Sequence, residues 1–264
     1  MVSLQIQTRL KKVIIMNSFD YEKFYEEVGK TNGWDFSNVK SSSEDVGWNF
    51  YEEVIKLSKK RDTLLDIGTG GGENLLKIAS SLFLLIGIDL SIGMIETARA
   101  NVKDEEASNV KFFQMSSDDL QFPTGFFDIV SCCHAPFSSK EIARVLKDGG
   151  YFLTQQVSEA DKRNIKDAFG RGQAYDSPDG TLKERYKKEL YDAGFTDIQY
   201  FDYDAVEYFE RPEDLIFLLS HTPIIPNFGQ DKSDFERVNQ FIEDNRTEKG
   251  IRTNSKRFMM IANK

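Results

Sequence analysis

Two aspartates and a run of glycines are the residues of this chain best suited to hold a ligand. In "LLDIGTGGGENLLKIASSLFLLIGIDLS", Asp66 precedes Gly68, Gly70, Gly71 and Gly72, and Asp89 closes the next apolar run. Glycines directly after a strand let the backbone turn tightly and approach a ligand with no Cβ in the way. A turn that needs positive φ accounts for one or two of them, not for the whole cluster. A dinucleotide site wants a third glycine for close helix packing, but counting from Gly68 that position holds Glu73. A carboxylate in the first helical turn would also repel a pyrophosphate seated on the helix N-terminus. No Gly-Lys-Ser/Thr follows, so a Walker-type phosphate loop fails as well. The pattern leaves a nucleoside-like ligand that lacks a pyrophosphate and tolerates nearby acid.

S-adenosylmethionine has those properties: an ammonium, a sulfonium and a ribose diol. Asp66 can serve its cationic methionine end, and Asp89 can accept both ribose hydroxyls. Methyl transfer from such a donor is an in-line displacement, which asks the protein to align three atoms in a water-poor pocket. It needs no metal, and the chain shows none of the usual ligand spacings. A base helps only where the nucleophile has a proton to lose. His134, in "CCHAPF" after the fourth strand, is the catalytic candidate and also a substrate-binding candidate; the competing reading is a strand-end cap. His221, in "LLSHTPIIP", is either a substrate contact or the anchor of a Pro-rich turn. Gln155 and Gln156 must face opposite sides of their strand, one near the pocket and one under a helix. Among the N-terminal aromatics, Tyr21, Tyr25 and Phe36 are candidates for plain core, and the irregular "GWDFS" gives Trp34 the better claim to the pocket. Tyr25 and Trp34 enter the substrate-binding set.

Positioning these residues requires alternating elements. Strand-sized runs "TLLDI", "LFLLIGIDL", "VKFFQM", "FFDIVSCC", "GYFLTQQV", "FTDIQYFDY" and "RFMMIANK" are interleaved with helical patterns, including "SIGMIETARANVKDEE" with Ser91 as N-cap. "SFDYEKFYEEVG" and "SSEDVGWNFYEEVIKLSKK" read as helices ahead of the first strand. Such alternation predicts an α/β fold: a doubly wound, mostly parallel seven-stranded sheet with helices on both faces. Two further helical segments, one started by Pro212, fall between the last two strands and suit a lid near the carboxyl edge, where open α/β sheets bind ligands.

"LLDIGTGGGENLLKIA", "IGIDLSIGMIETAR", "FPTGFFDIVSC" and "EIARVLKDGGYFLTQQV" resemble the successive motifs of class I S-adenosylmethionine-dependent methyltransferases. The resemblance covers roughly Thr63 to Val157 and, weakly, the final strand. It implies a last strand that runs antiparallel. It also implies that Asp66, Gly68 and Gly70 line the methionine and ribose moieties, with Thr69 in the turn between them, and that Asp89 binds the ribose. Leu90 and Met94 would pack near the adenine, and Cys133 joins the cofactor-binding set. Where the family often has Asp-Ala-x-x-Leu-Pro-Phe, this chain has "SSDDLQF", so Ser116, Ser117 or Asp118 would meet the adenine amine. The implied organisation is a possible flexible extension over 1–16, an N-terminal helical lid segment over 17–62, the cofactor-binding core over 63–204, a helical insertion over 205–250 and a closing strand over 251–264.

The acidic balance, a formal net charge of -9 over 264 residues, disfavours nucleic acid and anionic membrane surfaces as partners. The insertion is aromatic, aliphatic and acidic, which suits a closed pocket for a small molecule better than a phosphate track. A small-molecule acceptor is therefore the first reading, against RNA methylation and against a non-catalytic binding module. The adjacent Cys132 and Cys133 suit reduced thiols in a cytoplasmic protein. The oligomeric state is not legible in the sequence.

Overall fold

The structure, a computed structural model, describes residues 38–104 and 107–264. The extension over 1–16 and the helical reading of "SFDYEKFYEEVG" lie outside them. The described elements are β1 (Ser41–Glu44), α1 (Phe50–Leu57), β2 (Thr63–Ile67), α2 (Glu73–Lys77), β3 (Leu84–Asp89), α3 (Ile92–Asp104), β4 (Val110–Gln114) and β5 (Phe127–Cys133). They continue with α4 (Ser139–Val145), β6 (Leu146–Val157), α5 (Arg163–Phe169), α6 (Thr181–Asp192), β7 (Ile198–Phe209), α7 (Pro212–His221), α8 (Lys232–Asp244), β8 (Arg246–Thr247) and β9 (Gly250–Asn263).

The sheet runs in the order β1-β7-β9-β6-β5-β2-β3-β4, with β8 paired to β9. Strands β2 to β6 are parallel, and β9 lies antiparallel between β6 and β7. The chain winds outward from β2 through β3 to β4, then restarts at β5 and winds the other way. The switch point therefore falls between β2 and β5, and the crevice beyond their carboxyl ends is where such a sheet takes a ligand.

All seven strands read from the sequence are present. Their apolar runs were legible because parallel strands covered on both faces are buried continuously, as in β2 and β3. Alternate residues of each strand divide between two cores. Leu65, Ile86, Val130, Phe152 and Met260 join one, while Leu64, Leu85, Ile129, Leu153 and Met259 join the other. The helices between the strands start as their sequences dictate: Asn49 accepts from the Tyr51 and Glu52 N–H groups ahead of α1, and the Ser91 hydroxyl accepts from the Met94 N–H.

Four features depart from the sequence reading. The "SSE" of the second helical stretch forms β1, a strand with no buried residue, because the edge of β7 offers it a ladder from Phe209 to Val206. Strand β8 is a two-residue addition beside β9. Helix α5 was unread, since its first turn follows Lys162 in a left-handed conformation and carries no Ser, Asp or Asn cap. Strand β7 runs to Phe209, so residues 205–209 belong to the sheet, and the inserted helices α7 and α8 follow it. Helices α5, α7 and α8 share a third core with the end of the sheet, built on Ile165, Phe169, Leu215, Val238, Phe241 and Ile251. Among the described residues, no helix is long and apolar enough to cross a membrane.

Candidate functional site

The glycine turn leaves β2 at Ile67 and crosses directly onto β3. The Gly68 and Thr69 N–H groups donate to the Ile88 carbonyl at 2.9 and 3.0 Å, which clamps the turn against the neighbouring strand. Gly68 has φ +71°, and a Cβ there would stand 2.2 Å from the Ala135 Cβ. Conformation and space both require glycine. Gly70 is left-handed as well, with φ 57°. This turn aims its N–H at Asp89: Gly70 N donates to Asp89 Oδ2 at 3.0 Å, and Ser91 N donates to Oδ1 at 2.9 Å. The backbone thus orients the carboxylate at the strand end. Each carboxylate oxygen carries two acceptor lone pairs, so this orientation is compatible with accepting ribose hydroxyls.

Asp66 is placed by register. It stands opposite Gly87 on one side and Ser131 on the other, and its side chain is 1 % exposed. Ser131 Oγ donates to Asp66 Oδ1 at 2.6 Å, and Tyr51, delivered by α1, places its hydroxyl 3.3 Å from Oδ2. Burial raises the Asp66 pKa to about 6; the Ser131 hydrogen bond opposes this and the Asp89 charge adds to it. An acid held near neutrality in this way gains from a cation. The Asp66 carboxylate is an acceptor of the kind an ammonium bonds, and Thr69 Oγ1 nearby is buried with no well-formed hydrogen bond. Leu90 is 51 % exposed beside Asp89, an uncovered apolar side chain of the kind a nucleobase would cover.

The remaining cofactor candidates lie around this edge. Met94 is buried on α3, and Cys133 is half-buried at the end of β5. Ser116, Ser117 and Asp118 follow β4; the Asp118 N–H donates to Ser116 Oγ, and Ser117 Oγ donates to the Pro136 carbonyl at 3.1 Å. That last bond ties the loop after β4 to the loop after β5.

His134 begins the loop after β5. Its backbone is left-handed, with φ 59°, and its N–H donates to the Gln155 carbonyl at 2.8 Å. Ring atom Nε2 lies 2.9 Å from Gln155 Nε2. His134 lines a cavity of about 280 Å³ together with Gln156, Lys166, Thr181, Arg185 and Ile224. His134 is exposed at the surface, while the groups packed around its ring, desolvation first and then the Arg257 charge, push its pKa down to about 3. The imidazole is neutral at physiological pH. Buried charge stands behind the cavity. Asp161 pairs with Arg257, Lys162 Nζ lies 2.6 Å from Glu207 Oε2, and the Lys166 ammonium donates to the Glu159 and Gln173 carbonyls at 2.6 and 3.1 Å.

The two glutamines separate as strand geometry requires. Gln155 turns to His134 and Trp48, and Gln156 lines the cavity while donating to the Ala135 carbonyl at 2.9 Å. His221 ends α7, stacks on Phe217 and bonds the Phe217 carbonyl at 2.8 Å, apart from the residues that line the cavity. Tyr25 and Trp34 lie outside the described residues. Sequence reasoning missed Tyr51, Ser131 and Trp48. Their signal was faint: the first and last belong to "GWNFYEEV", whose aromatics read as ordinary helix core, and Ser131 is a lone hydroxyl in an apolar strand.

Residues 64–150 match a family model described as a methyltransferase domain. The chain is 37% identical over 124 residues to the uncharacterized methyltransferase YcgJ of Bacillus subtilis, across 44% of this chain and 47% of that protein. It is 32% identical over 117 residues to a demethylmenaquinone methyltransferase of Lactococcus lactis, across 40% of this chain and 46% of the relative. The chain thus spans about half the length of these curated relatives. The crystal structure of YcgJ shares the fold, with a TM-score of 0.59 at 18% identity over 81% of this chain and 97% of that one. With an Asp66–glycine turn clamped to β3 and Asp89 oriented at the switch-point crevice, residues 64–150 are a class I, Rossmann-like S-adenosylmethionine-dependent methyltransferase domain.

Proposed function

We propose that this chain is an enzyme that methylates a small-molecule acceptor by in-line transfer, with the acceptor bound in the cavity beside His134. The observation that carries this reading is the cavity itself. It has a volume of about 280 Å³, near the lower end for small-ligand sites. His134, on its lining, precedes Ala135, whose Cβ packs at Gly68 of the cofactor turn. A bound S-adenosylmethionine would supply an electrophilic methyl group. Asp66 would hold its ammonium, Asp89 its ribose, and Ser116, Ser117 or Asp118 its adenine amine. The inserted helices α7 and α8 would form part of a lid that keeps water from the reacting atoms.

A demethylmenaquinone methyltransferase among the relatives makes a quinol-type ring one acceptor class to try. Nucleic acid suits the cavity poorly, since a phosphate track needs an open basic groove. Free Cys132 and Cys133 support a cytoplasmic setting. Calorimetry with S-adenosylhomocysteine, followed by a methyl-transfer screen over small phenols, quinols, amines and carboxylates, tests the reading. Turnover of one of these supports it. S-adenosylhomocysteine binding with transfer only to RNA would replace the acceptor, and absence of binding would remove the function.

A further inference from the structure

We propose that His134 is a locked hydrogen-bond donor, with its proton fixed on Nδ1 by a Trp48–Gln155 relay, and that it presents this N–H to a hydrogen-bond-accepting atom of the ligand. The proposal rests on reading the His134 cavity as the acceptor site.

The lock follows from donor and acceptor chemistry along three side chains. Trp48 Nε1 only donates. It lies 2.7 Å from Gln155 Oε1, so that atom must be the amide oxygen and the Gln155 amide has one allowed orientation. The other end of the amide, Nε2, only donates. It lies 2.9 Å from His134 Nε2, which must therefore present a lone pair. A neutral imidazole with a lone pair on Nε2 carries its hydrogen on Nδ1. This is the opposite of the tautomer that free imidazole side chains prefer in water, so the protein imposes it. Among the described residues the ring's hydrogen bond is made through Nε2, Nδ1 has no partner, and His134 is an exposed residue of the cavity lining. What His134 offers a ligand is thus an N–H.

The relay is itself held. Trp48 packs edge-on against Tyr203 at 4.6 Å and Phe201 at 6.4 Å, both from β7. Asn49, the next residue, caps α1, the helix that also sends Tyr51 to Asp66. One short segment therefore sets both the cofactor carboxylate and the acceptor-side histidine. A base at this position would need a free lone pair facing the ligand, and the relay occupies the lone pair on the other side. Trp48 and Gln155 are positioning residues in this scheme.

The full chain has two histidines, so long-range ¹H–¹⁵N correlation of a ¹⁵N-labelled sample resolves each ring. At pH 7 His134 should show a protonated Nδ1 and an unprotonated Nε2. Gln155→Glu offers an acceptor in place of the donor and should invert the tautomer. Trp48→Phe frees the amide to flip and should give a mixture. With S-adenosylhomocysteine present, benzoate, an acceptor only, should shift the Nδ1 signal, and benzylammonium, a donor of the same size, should not. A wild-type ring protonated on Nε2 or on both nitrogens overturns the proposal, as does a response to benzylammonium in place of benzoate. The wild-type spectrum decides the lock even where a variant fails to fold. Absence of S-adenosylhomocysteine binding would strike the methyltransferase reading and leave the tautomer result standing.

Discussion

The glycine turn after β2 and the α5–α7–α8 helical cluster are made of different materials. At the turn, Gly68, Thr69, Gly70, Asp89 and Ser91 lie close in sequence and are held by backbone N–H groups on one carbonyl and one carboxylate. The cluster draws Ile165, Leu215, Val238 and Ile251 together from distant segments, and charges of the strands and loops around it meet in pairs: Lys162 with Glu207, Arg257 with Asp161, and Arg171 with Asp234 at 2.8 Å. Beside the turn, the buried Asp66 carboxylate meets the Ser131 and Tyr51 hydroxyls, whereas around the cluster each of these charges meets an opposite charge. The difference teaches that packing neutralises charge at the cluster and holds a carboxylate by neutral donors at the sheet edge.

The largest effect should come from breaking one of these ion pairs. Removing one partner of a buried ion pair leaves an uncompensated charge at a cost of about 3–5 kcal/mol. Lys162→Met should therefore lower the unfolding free energy by that much while leaving S-adenosylhomocysteine affinity unchanged. A large loss of affinity in that variant would mean that the two regions are one unit.

Asp89→Ala tests the other side. Losing hydrogen bonds from two ribose hydroxyls to a charged group should cost about 2–4 kcal/mol of binding, roughly a 30- to 1000-fold rise in the calorimetric Kd. Stability should change less than in the Lys162 variant. Unaltered affinity would place the ribose elsewhere.

Asp66 supplies a pH signature. Its folded pKa stands above the unfolded one, so its contribution to stability is complete below pH 4 and is lost as pH rises through about 6. At 1.36 kcal/mol per pKa unit the loss is at most about 3 kcal/mol. Asp66→Asn should therefore be more stable than the parent chain at pH 7.5 and no more stable at pH 4, by urea denaturation. The same carboxylate binds a cation only when ionised, so wild-type affinity for S-adenosylhomocysteine should rise between pH 5 and 7. The Asp66→Asn variant should lose that rise. A flat wild-type profile would separate Asp66 from the ligand.

The smallest effect belongs to Tyr51. Its hydroxyl lies 3.3–3.4 Å from the two Asp66 oxygens, a long contact. Tyr51→Phe should cost under about 1 kcal/mol in either stability or ligand affinity. A larger loss of affinity alone would make Tyr51 a direct ligand contact.

While the antiparallel run of the last strand came from the family resemblance, the sequence by itself determined the sheet's central strands and the glycine turn between two aspartates. These are local: burial on both faces writes a continuous apolar run, and a left-handed turn under close approach demands glycine. It also determined that Gln155 and Gln156 face opposite ways, because a strand alternates. Only the tertiary structure decided which of them meets His134, since Trp48 reaches Gln155 across 107 positions. Likewise only the fold made a strand of Ser41–Glu44, whose polar residues carry no pattern until β7 presents an open edge. Helix α5, capped by a left-handed lysine, and the ion pairs behind the cavity were silent for the same reason. A charged residue in a sequence reads as surface. Its partner, and with it the right to be buried, comes from a distant segment that packing alone brings near.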